Sequence, residues 1–216
     1  TIMKKLLLIL GSAMLFIACD KMKNTSEKES EKTAPSTANS DWKPVDSATA
    51  NKAWMEYATP NELHKVLAKY DGNWTGETTT WMEEGGQPVK NTSDCTNKMI
   101  FGGRYQLSNY KGNFMGMPFE GMSIMGYDNA KKKFVSTWID NMGTGMMTAE
   151  GEWNPSTKSI EFKGKMTDPT QANKECEIRE VYTFNDDNTH TLEMFGPGSK
   201  TGKEMKTMEI KFVRKK

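Results

Sequence analysis

From Asn73 onward the chain is broken at close, nearly even intervals by clusters that favour turns. These are Glu84-Gly85-Gly86, Gly102-Gly103, Gly112-Asn113, Asp128-Asn129, Asn141 to Gly145, Asn154-Pro155, Asp168-Pro169, Asp186-Asp187-Asn188 and Gly196-Pro197-Gly198. Such residues bend a backbone through positive φ, side-chain capping or a fixed φ. The runs between them are rich in Thr, Val, Ile, Phe, Tyr and Trp and read as about ten strands. Nearly all the joins are too short for parallel crossovers, which need about a dozen residues. The strands are therefore expected to be antiparallel neighbours. An open meander of that length leaves two unpaired edges, and closure removes both. The expected fold is all-β, a single antiparallel barrel of about ten strands.

Strand phase assigns the inner wall, because alternate residues share a face. Val89, Cys95, Asn97, Met99 and Phe101 fall together, as do Cys176, Ile178, Glu180, Tyr182 and Phe184. His190, Leu192 and Met194 form a third set, and Met208, Ile210 and Phe212 a fourth. Ahead of the barrel, two short helices are expected, from Ala48 to Tyr57 and from Pro60 to Tyr70. In the second, Thr59 is the expected N-cap, with Pro60 at the first helical position. Leu63, Val66, Leu67 and Tyr70 recur at helical spacing.

The N-terminal segment carries a different signal. Lys4 and Lys5 precede an apolar or small run from Leu6 to Ala18. That run is short for a membrane span, which needs about 20 apolar residues. It ends in Phe16-Ile17-Ala18-Cys19, which resembles the lipobox of bacterial lipoproteins, with Phe16 in place of the usual leucine. The resemblance implies cleavage after Ala18 and lipid on Cys19. Acyl chains contribute about 0.8 kcal/mol per buried methylene, and several of them hold a protein durably. The competing reading is an ordinary secretory signal with a chance cysteine. The expected division is a signal peptide at 1–18, a lipidated N-terminus and polar tether at 19–47, and a folded domain at 48–216. The expected site of action is the bacterial cell envelope, on the inner or outer membrane of a Gram-negative cell. Asp46-Ser47-Ala48 also resembles a short bacterial O-glycosylation signal.

Charge and cysteine usage narrow the function. Loss of Lys4 and Lys5 takes 29 basic residues to 27, against 28 acidic. Near-neutrality gives no broad footprint for nucleic acid. With Cys19 lipidated, Cys95 and Cys176 remain. In an exported chain they read either as a disulfide across the interior or as two separate thiols.

At Gly72-Asn73-Trp74 a short helix enters the first strand, a step that resembles the calycins, the lipocalin and fatty-acid-binding-protein group. The resemblance implies a basic residue of the last strand packed over Trp74, and Arg214 is in place to be that residue. Such a contact contributes about 0.5–2 kcal/mol. Longer strings are more specific: Asn109-Tyr110-Lys111-Gly112, Met115 through Gly121, Gly126 to Asn129, Trp138 through Gly145 and Met166 to Pro169. Together they resemble a bacterial family known as domain of unknown function 1579, over about residues 60–215. That family brings no activity to transfer.

Methionine is the unusual constituent. Seven lie between Met115 and Met147: Met115, Met117, Met122, Met125, Met142, Met146 and Met147. They read as an adaptable wall around an apolar ligand, as soft ligands for Cu(I), or simply as core filling. His190, on an inner face, is a candidate base or haem ligand, or a core histidine. His64 lies in a short helix and carries no evident role. Asp140, Asn141 and Thr144 serve either a ligand head group or the turn itself. Glu180 with Tyr182 would anchor a ligand or pair with Arg179 or Arg104. The expected ligand-binding set is Met115, Met117, Phe119, Met125, Trp138, Met146, Tyr182 and His190. Carboxylate pairs, a nucleophile elbow, a phosphate loop and zinc spacings are missing from the sequence. The reading therefore leans away from an enzyme and expects no cofactor or metal. Its leading function is a membrane-tethered protein holding a small apolar or amphipathic molecule. The alternatives are a closed-core interaction protein, or an enzyme using His190.

Overall fold

A computed structural model describes residues 42–216. The expected signal peptide, Cys19 and most of the tether lie outside the described residues. The folded unit begins at Val45. Helices α1 (Ser47–Ala58) and α2 (Glu62–Ala68) lead into ten strands: β1 (Gly72–Thr80), β2 (Val89–Ile100), β3 (Tyr105–Phe114), β4 (Met117–Asp128), β5 (Lys133–Asp140), β6 (Met147–Asn154), β7 (Ser159–Asp168), β8 (Lys174–Asp186), β9 (Thr189–Pro197) and β10 (Glu204–Arg214). Each strand pairs antiparallel with its sequence neighbours, and β1 also pairs with β10, which closes the barrel.

The inner face follows the alternation read from sequence. Rows of directly opposed inward residues run across the strands. One is Gly76, Phe212, His190 and Phe184. The next, toward the far end, is Asn91, Thr78, Ile210, Leu192, Tyr182 and Ile160. A third is Thr80, Met208, Met194, Glu180 and Phe162. Phe101 departs from the expected phase. It sits at the β2–β3 turn with φ +49° and is 74% exposed.

Helix α2 plugs one end. Its apolar face buries Leu67, and Tyr70 follows it into the core. Helix C-termini leave carbonyls without partners, and here the barrel supplies them. Gln106 Nε2 donates to Leu67 O at 2.7 Å, and both Asn97 Nδ2 and Trp74 Nε1 donate to Tyr70 O at 3.0 Å. Arg214 donates to Lys69 O at 2.7 Å, Asp71 O at 2.6 Å and Asp187 O at 2.9 Å. Its guanidinium carbon lies 4.1 Å from the Trp74 ring centroid, the arrangement the calycin resemblance implied.

The helix starts differ from expectation. The N-cap of α2 is Asn61, not Thr59. Asn61 Oδ1 accepts from Leu63 N at 2.9 Å, while His64 Nδ1 accepts from Asn61 N at 3.0 Å. This reciprocal pair is a capping box with histidine in the usual Glu or Gln place. Asp46 caps α1 by accepting from the Ala48 and Thr49 amides.

The disulfide considered for Cys95 and Cys176 is absent, and both are free thiols. The reason is topological. β2 has β1 and β3 as neighbours and β8 has β7 and β9, so the two cysteines stand on separate walls.

Candidate functional site: the open half of the barrel

Tyr110 on β3 and Tyr182 on β8 approach each other inside the barrel, and Tyr110 also approaches Cys95. In the ring of ten strands β3 and β8 are diametrically opposite, so this contact spans the lumen. It continues as a polar chain, with Cys95 Sγ donating to Asn97 Oδ1 at 3.2 Å. Burial holds both phenols protonated far above their usual range and pushes the Cys95 thiol up to about 12. The chain is neutral throughout and forms a floor.

Below that floor, on the α2 side, the interior is full. His190 is stacked on Phe212 with centroids 4.3 Å apart and meets Trp74 edge-on at 4.5 Å. Tyr70 and Phe184 complete the cluster at 4.5 Å from each other. Burial pushes the His190 pKa down to about 3, so its imidazole is neutral. Its Nδ1 is buried with no partner among the described residues. This placement puts His190 in the packed end, away from the barrel mouth.

Above the floor the wall changes. Thr78, Thr80, Asn91, Phe119, Trp138, Met147, Tyr182, Met194 and Met208 all lie on inward positions yet keep partial exposure. Met117, at the start of β4, is 49% exposed. Inward side chains that still meet solvent mean that solvent enters this end. Trp138 is set by its surroundings. Its ring packs edge-on to Tyr110 at 5.1 Å and is stacked with Phe119 at 6.3 Å. It lies over Gly121, where an added Cβ would come within 2.5 Å of the ring.

Three polar groups stand out on this wall. Thr80 Oγ1 and Asn91 Nδ2 are buried without a partner among the described residues. Glu180 is 7% exposed, between inward Ile178 and Tyr182, with Phe162 and Met194 opposite it on the flanking strands. It has no hydrogen bond or ion pair among the described residues. Burial alone raises its carboxyl pKa to about 7. Neither arginine considered as its partner reaches it. Arg179 faces outward and binds Glu204 at 2.7 Å, and Arg104 donates to Ala58 O at 2.7 Å.

Asp140 turns out to serve the turn. Its Oδ2 accepts from Trp138 Nε1 at 2.6 Å and its Oδ1 accepts from Met142 N at 2.9 Å. Asn141 ties the same turn to β4 through Glu120 N and Pro118 O. Thr144 is exposed in the same loop. His64 is buried and consumed by the capping box.

The seven methionines separate. Met125 is core, Met122 faces outward, and Met147 lines the open half. Met115, Met117, Met142 and Met146 are exposed and lie in or beside the β3–β4 turn and the β5–β6 loop, with Met146 at 69%. Both connections are at the mouth. Met82, in the β1–β2 connection, and Met166, near the end of β7, are exposed there too. Core filling therefore accounts for few of them. No group of three or more His, Cys, Asp or Glu among the described residues is placed to hold a metal ion.

Outside the barrel, a groove of about 490 Å³ runs between α1 and the outer face of β4 and β5, lined in part by Trp54, Tyr57, Tyr105, Ile124 and Val135.

Comparison with known proteins supports the architecture. The crystal structure of Rv2717c from M. tuberculosis is similar at a TM-score of 0.55 and 11% identity, covering 73% of this chain and 100% of that one. At that identity the likeness shows the fold alone. No curated protein sequence matches the chain. A family model described as protein of unknown function (DUF1579) matches residues 59–214, and so takes in α2 and all ten strands. The barrel with its helical plug is thus the shared unit, and the chain belongs to the DUF1579 family.

Proposed function

We propose that the open half of the barrel holds a small apolar or amphipathic molecule. The observation that carries this reading is Glu180, a buried carboxyl without an ion pair on a largely apolar, partly solvated inner wall. Concave apolar sites with a few convergent polar groups are the usual form of ligand pockets, and strongly shifted titratable groups collect there. The flexible thioethers of Met117, Met147, Met194 and Met208 suit an adaptable wall. A neutral, packed His190 weighs against the enzymatic alternative.

The protein would work tethered to the bacterial envelope through lipid on Cys19. Palmitate labelling of the full chain, lost in Cys19→Ser together with membrane association, is the expected result. A Cys19→Ser protein that stays labelled and membrane-bound overturns the anchor.

The binding reading is tested with the full chain and the fluorescent apolar probe N-phenyl-1-naphthylamine. A saturable fluorescence rise is expected, and Thr78→Trp, which fills the inner wall, abolishes it. A flat titration of the wild-type protein sinks the reading. In that case the alternative, a protein that works through its outer surface, is favoured by the apolar groove beside α1.

A further inference from the structure

We infer that the molecule held in the open half carries a protonated amine, or an equivalent cationic donor, set against Glu180. This inference rests on the ligand-binding reading above and names the chemistry of its head group.

Glu180 is more than nine-tenths buried and faces inward on β8. A carboxylate in such a place needs hydrogen-bond donors and a countercharge, because burial removes its hydration. Neither is paired with it among the described residues, although the unpartnered Thr80 Oγ1 and Asn91 Nδ2 lie in the same half. Its inward neighbours are Phe162, Ile178, Tyr182 and Met194. Tyr182 is engaged with Tyr110, and Tyr110 with Cys95 as well. The nearby cations are committed elsewhere. Arg179 binds Glu204 and Glu161, Lys206 binds Glu193 and Glu209, and Arg214 is spent on backbone carbonyls at the plugged end. Below about pH 7 protonation relieves the charge; above it, the donor and the countercharge are for the ligand to bring.

An alkylammonium supplies them together. Its N–H groups donate to the carboxylate and its charge restores the ion pair. Its apolar tail lies along Met194 and Met208 toward the methionine mouth. A ligand with an anionic head would place like charge beside Glu180, with only neutral phenols to offset it. The same geometry thus selects against fatty-acid-like molecules. On the facing wall, the unpartnered Asn91 Nδ2 is a donor and fits an acceptor elsewhere on the same molecule.

The test is displacement of N-phenyl-1-naphthylamine from the full chain at pH 7.5 by dodecylamine, dodecanol and dodecanoate, each below its micellar concentration. Dodecylamine is expected to bind at least about tenfold more tightly than dodecanol, one decade of affinity for the restored pair, with dodecanoate weakest. In Glu180→Gln the ratio of dodecylamine affinity to dodecanol affinity collapses toward one. Equal displacement by all three, or a preference for dodecanoate, overturns the amine and leaves the apolar site standing. Failure of the probe itself to bind overturns both. If Glu180→Gln does not fold by circular dichroism, the wild-type ranking decides alone.

Discussion

The two ends of one barrel treat their inward side chains in opposite ways. Around α2, Trp74, Phe184, His190 and Phe212 pack ring on ring, and the carbonyls of the helix end are met by Gln106, Asn97 and Arg214. Beyond the Tyr110–Tyr182 contact, Thr80 Oγ1 and Asn91 Nδ2 are left without partners, Glu180 is buried without an ion pair, and the methionines keep partial exposure. Strand pairing runs through both ends, with a register shift in each, between Lys206 and Met208 and between Phe184 and Asp186, so the backbone does not cause the difference. Side-chain choice does. Aromatic rings fill the section near the plug, and flexible thioethers and small hydroxyls leave the other section open. Close packing and solvent access are thus given to different ends.

The sharpest break of that comparison is truncation. Phe212→Ala in the packed end is expected to cost about 3–5 kcal/mol, the range for a buried aromatic lost without collapse. Met208→Ala, four residues away on the same inner face, is expected to cost under about 2 kcal/mol, because solvent already reaches it. Urea unfolding midpoints decide, and equal costs would erase the distinction.

Titration separates the ends by sign. The Glu180 carboxyl is held at about 7, above its ordinary 4.5. Between those values the folded state keeps a proton that the unfolded chain releases, so stability falls as pH rises from 4.5 to 7. Glu180→Gln is expected to gain about 3 kcal/mol over wild type at pH 8 and nothing at pH 4. His190, held at about 3, works the other way. The unfolded chain takes up its proton first, so stability falls as pH drops from 6.5 toward 3. His190→Phe flattens that acid limb. Melting temperatures across pH 4–8 for the two variants should diverge from wild type at opposite ends of the range.

Smaller effects sharpen the picture. Asn61→Ala removes one side of the capping box at the plug and is expected to cost about 1 kcal/mol by urea unfolding. Met115→Gln and Met146→Gln, both exposed at the mouth, are expected to stay within about 0.5 kcal/mol of wild type by the same measurement. A large loss for either would mean that the mouth is part of the core.

The barrel itself was legible because its causes are local. Turn residues punctuate the chain, and period-2 alternation marks the inner wall, including Cys95, Glu180, His190 and Phe212. The Trp74–Arg214 contact was legible only through resemblance, since its partners lie at opposite ends of the barrel sequence. What stayed hidden depends on height along the barrel axis. Alternation says that His190 and Glu180 both point inward. It does not say that one lies below the tyrosine contact and the other above it. That is why His190 looked like a site residue and Glu180 was left between a ligand anchor and half of an ion pair. Asn91 was within reach, since it shares its face with Val89 and Cys95. Tyr110 was not, because its meaning comes from an opposite strand. The α2 cap was hidden by the histidine that stands where Glu or Gln is usual.

The seam between β1 and β10 also bears on how the molecule is made. Every other strand pairs with the one made just before or after it, so hairpins can zip up in the order of synthesis. The β1 edge alone must wait for β10, and Arg214, which pins β10 to α2 and covers Trp74, is the last residue of that strand. Until then the growing chain is a curved sheet with a bare edge, open to pairing with another chain. Nonlocal closure of this kind is slow relative to hairpin formation. A chain interrupted before β10 would therefore carry nine well-formed strands and still be the species most prone to aggregate.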